Sequence, residues 1–422
     1  MKEKVLSVVI VGLGNRGIGA YGRYCLRHPE QFRVVGLMDI DPVKVAQYAR
    51  EFDVPSQNCF TDEDSLFAAG RLADVMFVCS QDRDHVRQAT AAARLGYHLL
   101  IEKPVSPEED ECRKLLRVTR ERGTLTCVCH VLRYTYFFRT IKEWVDHGEI
   151  GEILSYHQLE NVGYWHLAHS FVRGNWRNDK LSPMILQKCC HDLDLICWIV
   201  GRQPLCLSSF GHLTHFRADK APEGATAYCL DGCKVKEKCP YDAETYIRHF
   251  RQLPEGDRDR WPFYNVALNP TEERLYDALR RGPYGRCVYH CDNNVVDHQT
   301  VNIDFEGGIC ANLLMIGPTD VDGRTVKITG STGEIIGNDV DFLELRRYGG
   351  EHRRINIADI IAGTDGHNGG DSIMLNDFYH TVISQTGDTA TSLEGSIVSH
   401  LCAFAAERSR RNGGAVQQIR MD

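Results

Sequence analysis

Three observations predict an α/β chain of two domains. Over about the first 130 residues, short apolar runs alternate with segments whose apolar residues recur every three or four positions, the rhythm of a parallel, doubly wound sheet. Beyond that point the runs lengthen and alternate apolar with polar residues, which predicts an α+β domain on an open, mostly antiparallel sheet with one helix-covered face. The length of 422 residues exceeds what a single core organises, so the chain is divided into 1–129 and 130–422.

The predicted strands of the first domain are Val5 to Val11, Phe32 to Asp39, Ala73 to Cys79, His98 to Glu102 and Thr124 to Cys129. Two helix starts are legible between them. Asp41-Pro42 supplies a cap and a proline at the first helical position, and Ser106-Pro107-Glu108-Glu109 places a glutamate where a capping box needs it. Between the first strand and first helix lies Gly12-Leu13-Gly14-Asn15-Arg16-Gly17. Glycines there permit a tight turn and the close approach of a pyrophosphate, while the helix start aims its amides at the negative charge. Such a loop in strand-turn-helix context is the fingerprint of a Rossmann dinucleotide site; a ligand-free glycine turn is the alternative. Asp39 closes the second strand where a carboxylate accepts hydrogen bonds from the adenosine ribose and repels the extra phosphate of NADP, so the expected cofactor is NAD.

Composition excludes other classes. With 43% hydrophobic and 25% charged residues, a net charge of -8 and no basic block, the chain is expected to bind neither nucleic acid nor membrane, and a small-molecule partner is predicted. The first strand begins almost at Met1, leaving no room for a secretory signal, and a cytoplasmic location is expected. In that reducing setting the 17 cysteines are not read as a disulfide framework.

The fourth strand ends in Glu102-Lys103-Pro104, with a cis peptide allowed before the proline. With the glycine loop, Ser80, His85 and the run His191-Asp192-Leu193-Asp194-Leu195-Ile196-Cys197-Trp198, this triplet resembles the Gfo/Idh/MocA (glucose–fructose oxidoreductase and inositol dehydrogenase) family over essentially the whole length. The resemblance implies NAD held by Gly12, Gly14, Asn15, Arg16, Gly17, Asp39, Ser80, His85, Glu102 and Lys103. It also implies oxidation or reduction of a sugar or polyol, and a homodimer or homotetramer formed through the second-domain sheet. It places Lys103 beside nicotinamide and substrate, where an ammonium at a strand end polarises a carbinol oxygen. It makes His191 the candidate general base. Asp194, one helical turn on, either orients that imidazole or caps the helix. One departure stands out. Family dehydrogenases often carry Asp four residues before this histidine, where the chain has Gln187, followed by Lys188.

In the second domain the predicted strands are Ile153 to Val162, Leu205 to Phe216, Val301 to Phe305, Ile309 to Ile316 and Thr325 to Gly330. The stretch from Gly163 to Arg177 mixes aromatic rings and polar donors suited to a sugar, and Tyr164, Trp165, His166, Arg173, Trp176, Lys188 and Asp194 are the candidate substrate contacts. A second stretch, Gly363-Thr364-Asp365-Gly366-His367-Asn368-Gly369-Gly370-Asp371, resembles the glycine-histidine loop of the family's NAD-dependent glycosidases, making His367 a candidate acid/base; a helix-leading loop capped by Asp371 is the alternative. In such glycosidases a hydride is removed and later returned, so cleavage brings no net oxidation. A non-catalytic NAD-binding sensor is the third class considered. Finally, Cys229, Cys233, Cys239 and Cys287, with Cys291 in reserve, are spaced to supply four thiolates to a structural zinc ion or to serve as small apolar residues.

Overall fold

A computed structural model describes residues 4–258, 260–362, 364, 366–385 and 389–421. Six parallel strands form the first sheet: β1 (Leu6–Val11), β2 (Phe32–Met38), β3 (Cys59–Phe60), β4 (Val75–Val78), β5 (His98–Ile101) and β6 (Thr126–Val128), in the order β3-β2-β1-β4-β5-β6. The order reverses between β1 and β4, so a crevice opens at their carboxyl ends. β1 and β4 are nearly or wholly buried because helices cover both faces, which explains their unbroken runs of Val, Ile, Met and Phe.

Asp41 caps the helix Pro42–Glu51 by accepting the Val43 amide hydrogen, as its sequence requires. The Ser106 cap is displaced. Its hydroxyl accepts from the Glu108 amide, and the helix begins at Glu109 with three acidic residues in its first turn. The helix after the glycine loop is π-wound over Asn15–Gly22 before it becomes α-helical at Arg23.

Nine strands make the second sheet: β7 (Ile153–Gly163), β8 (Pro204–His212), β9 (His298–Phe305), β10 (Ile309–Thr319), β11 (Gly323–Gly330), β12 (Gly333–Asn338), β13 (Phe342–Arg347), β14 (His352–Asn356) and β15 (Gln417–Gln418). Their order is β14-β13-β12-β11-β7-β10-β9-β8-β15, antiparallel except for the β7–β10 pair. Strands β12 to β14 and β15 are additional to those legible in the sequence. Between β8 and β9, residues 213–297 fold on a small core of their own around Tyr246, Ile247, Phe250, Phe263, Leu275 and Leu279. No helix among the described residues is long and apolar enough to cross a membrane.

One late element returns to the first sheet. The helix Gly370–Ser384 packs Met374, Leu375, Phe378 and Tyr379 into the core beneath β1, β2 and β4, with Phe378 6.4 Å from Phe77 and Tyr379 5.6 Å from Phe32. Each such burial contributes on the order of 1.5–3 kcal/mol. Phe378→Ala is therefore expected to destabilise the protein by about 3–5 kcal/mol in urea unfolding; a loss under 1 kcal/mol would show that this helix does not anchor the N-terminal core.

Candidate active site

The carboxyl ends of β1, β4 and β5 face a cleft of about 400 Å³. Its three loop glycines have separate jobs. Gly12 has φ +87° and lies so close to the Cys79 backbone that a Cβ would stand 2.5 Å from it. A Cβ on Gly17 would stand 2.0 Å from the Gly12 carbonyl oxygen, which holds helix against strand. A Cβ on Gly14 would meet nothing within 4 Å among the described residues, leaving an open flank where a pyrophosphate fits. Asp39 braces the loop by accepting from the Leu13 amide at 2.7 Å and the Asp41 amide at 2.9 Å, with lone pairs remaining for a ribose.

Arg16 points inward. Its guanidinium bonds Glu102 at 2.7 Å and both Asp371 oxygens at 2.6 and 3.1 Å, so it joins the glycine loop to the β5 end and the helix Gly370–Ser384. Glu102 also accepts from the Tyr21 hydroxyl and the Lys103 amide. Burial opposes ionisation of Glu102, but Arg16 and Tyr21 outweigh it and hold its pKa below the ordinary value. The peptide before Pro104 is cis. Lys103 Nζ donates to the Gln187 carbonyl at 2.9 Å, which aims the ammonium across the cleft. His85 places its ring nitrogens 2.9 Å from the Pro104 carbonyl and 3.1 Å from that of Ser80, clamping the two strand-end loops. The Ser80 hydroxyl donates to Gln88 at 2.6 Å.

His191 begins the helix Cys190–Val200, separated by a break from the turn Met184–Gln187. It lines the cleft, and its buried Nδ1 has no hydrogen-bond partner among the described residues. Burial, then Lys103, His130 and Arg324, push its pKa well below that of a free imidazole. His367 lines the same cleft from the other side, its ring 6.3 Å from that of His191. Its Nδ1 lies 3.2 Å from Asp371, so that carboxylate serves Arg16 and His367 rather than capping a helix. Within this loop Gly363 and Asp365 lie outside the described residues.

The floor of the substrate half is ionic. Lys188 lies 3.0 Å from Glu160, and Arg324 bonds Asp192 at 2.9 Å and lies 3.0 Å from Glu160. Burial raises the Glu160 pKa to about 7 against the pull of Arg324 and Lys188. Above it, His166 Nδ1 pairs with Asp322 at 2.9 Å. Aromatic walls come from Phe171 and Trp176 on one side and from Trp261, Tyr264 and Tyr284 of the 213–297 insertion on the other.

The cleft thus gathers Lys103, His191, His367, His166, Trp176 and Lys188. Four expected substrate contacts lie elsewhere. Tyr164 packs on Tyr241, and Trp165 on Tyr246 and His249. Arg173 is buried, and its Nε and Nη2 donate to the Arg286 and Tyr241 carbonyls and Cys229 Sγ. Asp194 makes no hydrogen bond to His191 among the described residues and is gripped by Arg133 through two bonds of 2.6 Å. The zinc expectation is not supported. Cys229, Cys233, Cys239 and Cys287 border one small cavity, but among the described residues no three His, Cys, Asp or Glu side chains are grouped to hold a metal ion. Arg173 reaches in to Cys229, and burial raises the Cys239 and Cys287 thiols. Asp82, Asp322, Arg324 and the insertion aromatics were not legible as site residues, since no spacing links them to the histidines. The Trp261-Pro262 pair in a polar stretch was the one local hint.

The family profile for an NAD-binding Rossmann fold of oxidoreductases matches residues 6–130, and that for the C-terminal alpha/beta domain matches residues 142–417. The chain belongs to the Gfo/Idh/MocA oxidoreductase family. It is 24% identical over 392 residues to YteT of Bacillus subtilis, covering 88% of each chain. It is 28% identical over 194 residues to inositol 2-dehydrogenase of Pseudomonas savastanoi pv. phaseolicola, covering 45% of this chain and 54% of that protein. The fold is similar to that of a levoglucosan dehydrogenase solved with NADH and levoglucosan, with TM-score 0.72 and 16% identity over 99% of this chain and 100% of that one. As a Gfo/Idh/MocA protein it is an NAD-binding oxidoreductase, and the open flank at Gly14 and the free lone pairs of Asp39 fit that cofactor.

Asp39→Asn removes one charged acceptor while keeping the size, so NAD binding is expected to weaken about tenfold or more. Fluorescence titration checks this; unchanged NAD affinity with no gain for NADP would remove Asp39 from ribose recognition.

Proposed function

We propose that this Gfo/Idh/MocA protein is a dehydrogenase that transfers a hydride to or from a carbinol carbon of a sugar or polyol. One observation carries the reading: Lys103, tethered to the Gln187 carbonyl, and His191, with one nitrogen free, line the same cleft next to the glycine loop. When bound, NAD supplies the hydride acceptor. Lys103 donates a hydrogen bond to the carbinol oxygen and stabilises negative charge there, while His191 Nε2 takes the hydroxyl proton. The substrate half favours an uncharged polyhydroxyl ligand. Lys188 and Arg324 are already engaged by Glu160 and Asp192, so neither is a free cation for an acid group, and the aromatic walls offer flat faces to a sugar ring. A homodimer or homotetramer through the second sheet accompanies this reading, supported by a row of exposed Phe210 and Leu314 flanking Thr300 on adjacent strands.

A second reading is favoured by two further pairs. His166–Asp322 and His367–Asp371 both border the cleft and supply acid/base groups that simple alcohol oxidation does not need. They suit a redox-neutral glycosidase. Incubation with NAD, free sugars and aryl glycosides separates the two: NADH accumulation supports the dehydrogenase, aryl release without NADH supports the glycosidase, and bound NAD with neither reaction identifies a sensor.

On a productive sugar, Lys103→Met is expected to lower kcat by about 10²–10³ with little change in NAD affinity; a loss under threefold would overturn its role. His191 must be neutral to accept a proton, and its pKa is depressed. The kcat profile should therefore rise through a group below pH 6.5 and stay flat from there into the neutral range; an acid limb above pH 7 would exclude His191 as the base.

A further inference from the structure

With Gln187 in place of a carboxylate, the inward nitrogen of His191 meets a second imidazole. His130 lies just beyond β6 and is fully buried, and neither of its ring nitrogens has a hydrogen-bond partner among the described residues. The same is true of His191 Nδ1. Burying such groups unpaired is costly. The two rings have centroids 5.6 Å apart and planes at 81°. Imidazoles that share an N–H···N bond have centroids about 5 Å apart, and twist about the N···N axis leaves that bond intact. The observed separation is slightly longer than that.

The other neighbours of His130 narrow its role. His400 lies 5.7 Å away, ring to ring, but its Nε2 accepts the Val105 amide hydrogen and its Nδ1 donates to the Ser396 carbonyl, so neither nitrogen is available. His130 Nε2 stands 3.8 Å from Asp194 Oδ1. Asp194 is held by Arg133, so it acts on His130 as an oriented, largely neutralised acceptor.

We propose that His130 is the positioning residue of His191: its Nδ1 accepts the His191 Nδ1–H while its Nε2–H faces Asp194, and this His191–His130–Asp194 chain stands in for the absent carboxylate. The proposal rests on His191 being the base. As the substrate hydroxyl proton moves to His191 Nε2, the proton on Nδ1 stays bound, steadied by His130, and the imidazolium charge is shared toward Asp194. No proton leaves the chain. Lys103, Arg324, His367 and Asp192 also act on or flank His191, and His400, Arg133, Lys103 and Glu102 act on His130. Burial lowers the pKa of both imidazoles, so both begin neutral, as this relay of hydrogen bonds needs.

His130→Phe keeps a ring and deletes both nitrogens, whereas H130Q restores an acceptor. In the full-length protein with NAD and a productive sugar, His130→Phe is expected to lower kcat about tenfold, leave KM and NAD affinity within twofold, and shift the acid limb of kcat to lower pH, because the imidazolium has lost its acceptor. H130Q should recover part of kcat. Nitrogen-15 NMR of the wild-type imidazoles reads the chain without turnover, and His191 should be the Nδ1–H tautomer. An unshifted kcat profile in His130→Phe, or an Nε2–H tautomer of His191 in the wild type, would overturn the proposal. The Nδ1–H tautomer in a protein that turns over no sugar would instead remove the dehydrogenase reading and leave the hydrogen-bonded chain standing. If His130→Phe does not fold, H130Q and the wild-type tautomer still decide.

Discussion

The guanidinium of Arg16 is the interaction on which the rest of the site depends. It carries a positive charge into a place where Glu102 and Asp371 are both nearly buried. Burial alone would raise the Asp371 carboxyl; Arg16 and His367 reverse this and hold its pKa well below the carboxylate range. Removing one member of such a cluster leaves the others charged and desolvated, which is why three segments far apart in sequence stay together. The glycine loop, the Glu102-Lys103-Pro104 strand end and the helix Gly370–Ser384 are therefore one unit. Lys103 inherits its position from the first two and His367 from the third.

Around this unit the cleft divides by chemistry. Its dinucleotide side is made by backbone: glycines without side chains, amide hydrogens on Asp39, and carbonyls that hold His85 and Lys103. Its substrate side is made by side chains, with paired charges below and aromatic rings at the walls. Backbone geometry suits a cofactor common to a whole family, since it depends on few residue identities. Side-chain surfaces suit a ligand that varies, and here one wall comes from residues 213–297, which fold on their own small core.

Much of this was legible along the chain. The βα rhythm, Gly12, Gly14, Gly17 and Asp39 are local patterns, and local patterns follow from strand and helix periodicity whatever the remote chain does. Lys103 and His191 were legible through motifs. The reading failed where a residue's partner lies far off in sequence. Asp194 sits one turn from His191, yet Arg133 claims it; Arg173 reads as a ligand-binding cation among aromatics, yet it is buried against carbonyls and a thiol. Four cysteines with plausible ligand spacing reach one cavity, yet among the described residues they do not come into a metal-holding group. Spacing states which side chains can meet, not which way each turns.

By itself the sequence determined the parallel sheet, the dinucleotide loop and the identity of the chemical groups, because these rest on short-range steric and hydrogen-bonding rules. Only the tertiary structure decided which groups work together. The carboxylate missing before His191 is not replaced by any neighbour in sequence; what stands beside that imidazole is His130 from the end of the first sheet, while Asp371 has gone to Arg16 and His367. The reason is physical. Buried charges and polar nitrogens need partners close by, and in a folded chain those neighbours are chosen by packing rather than by order along the sequence.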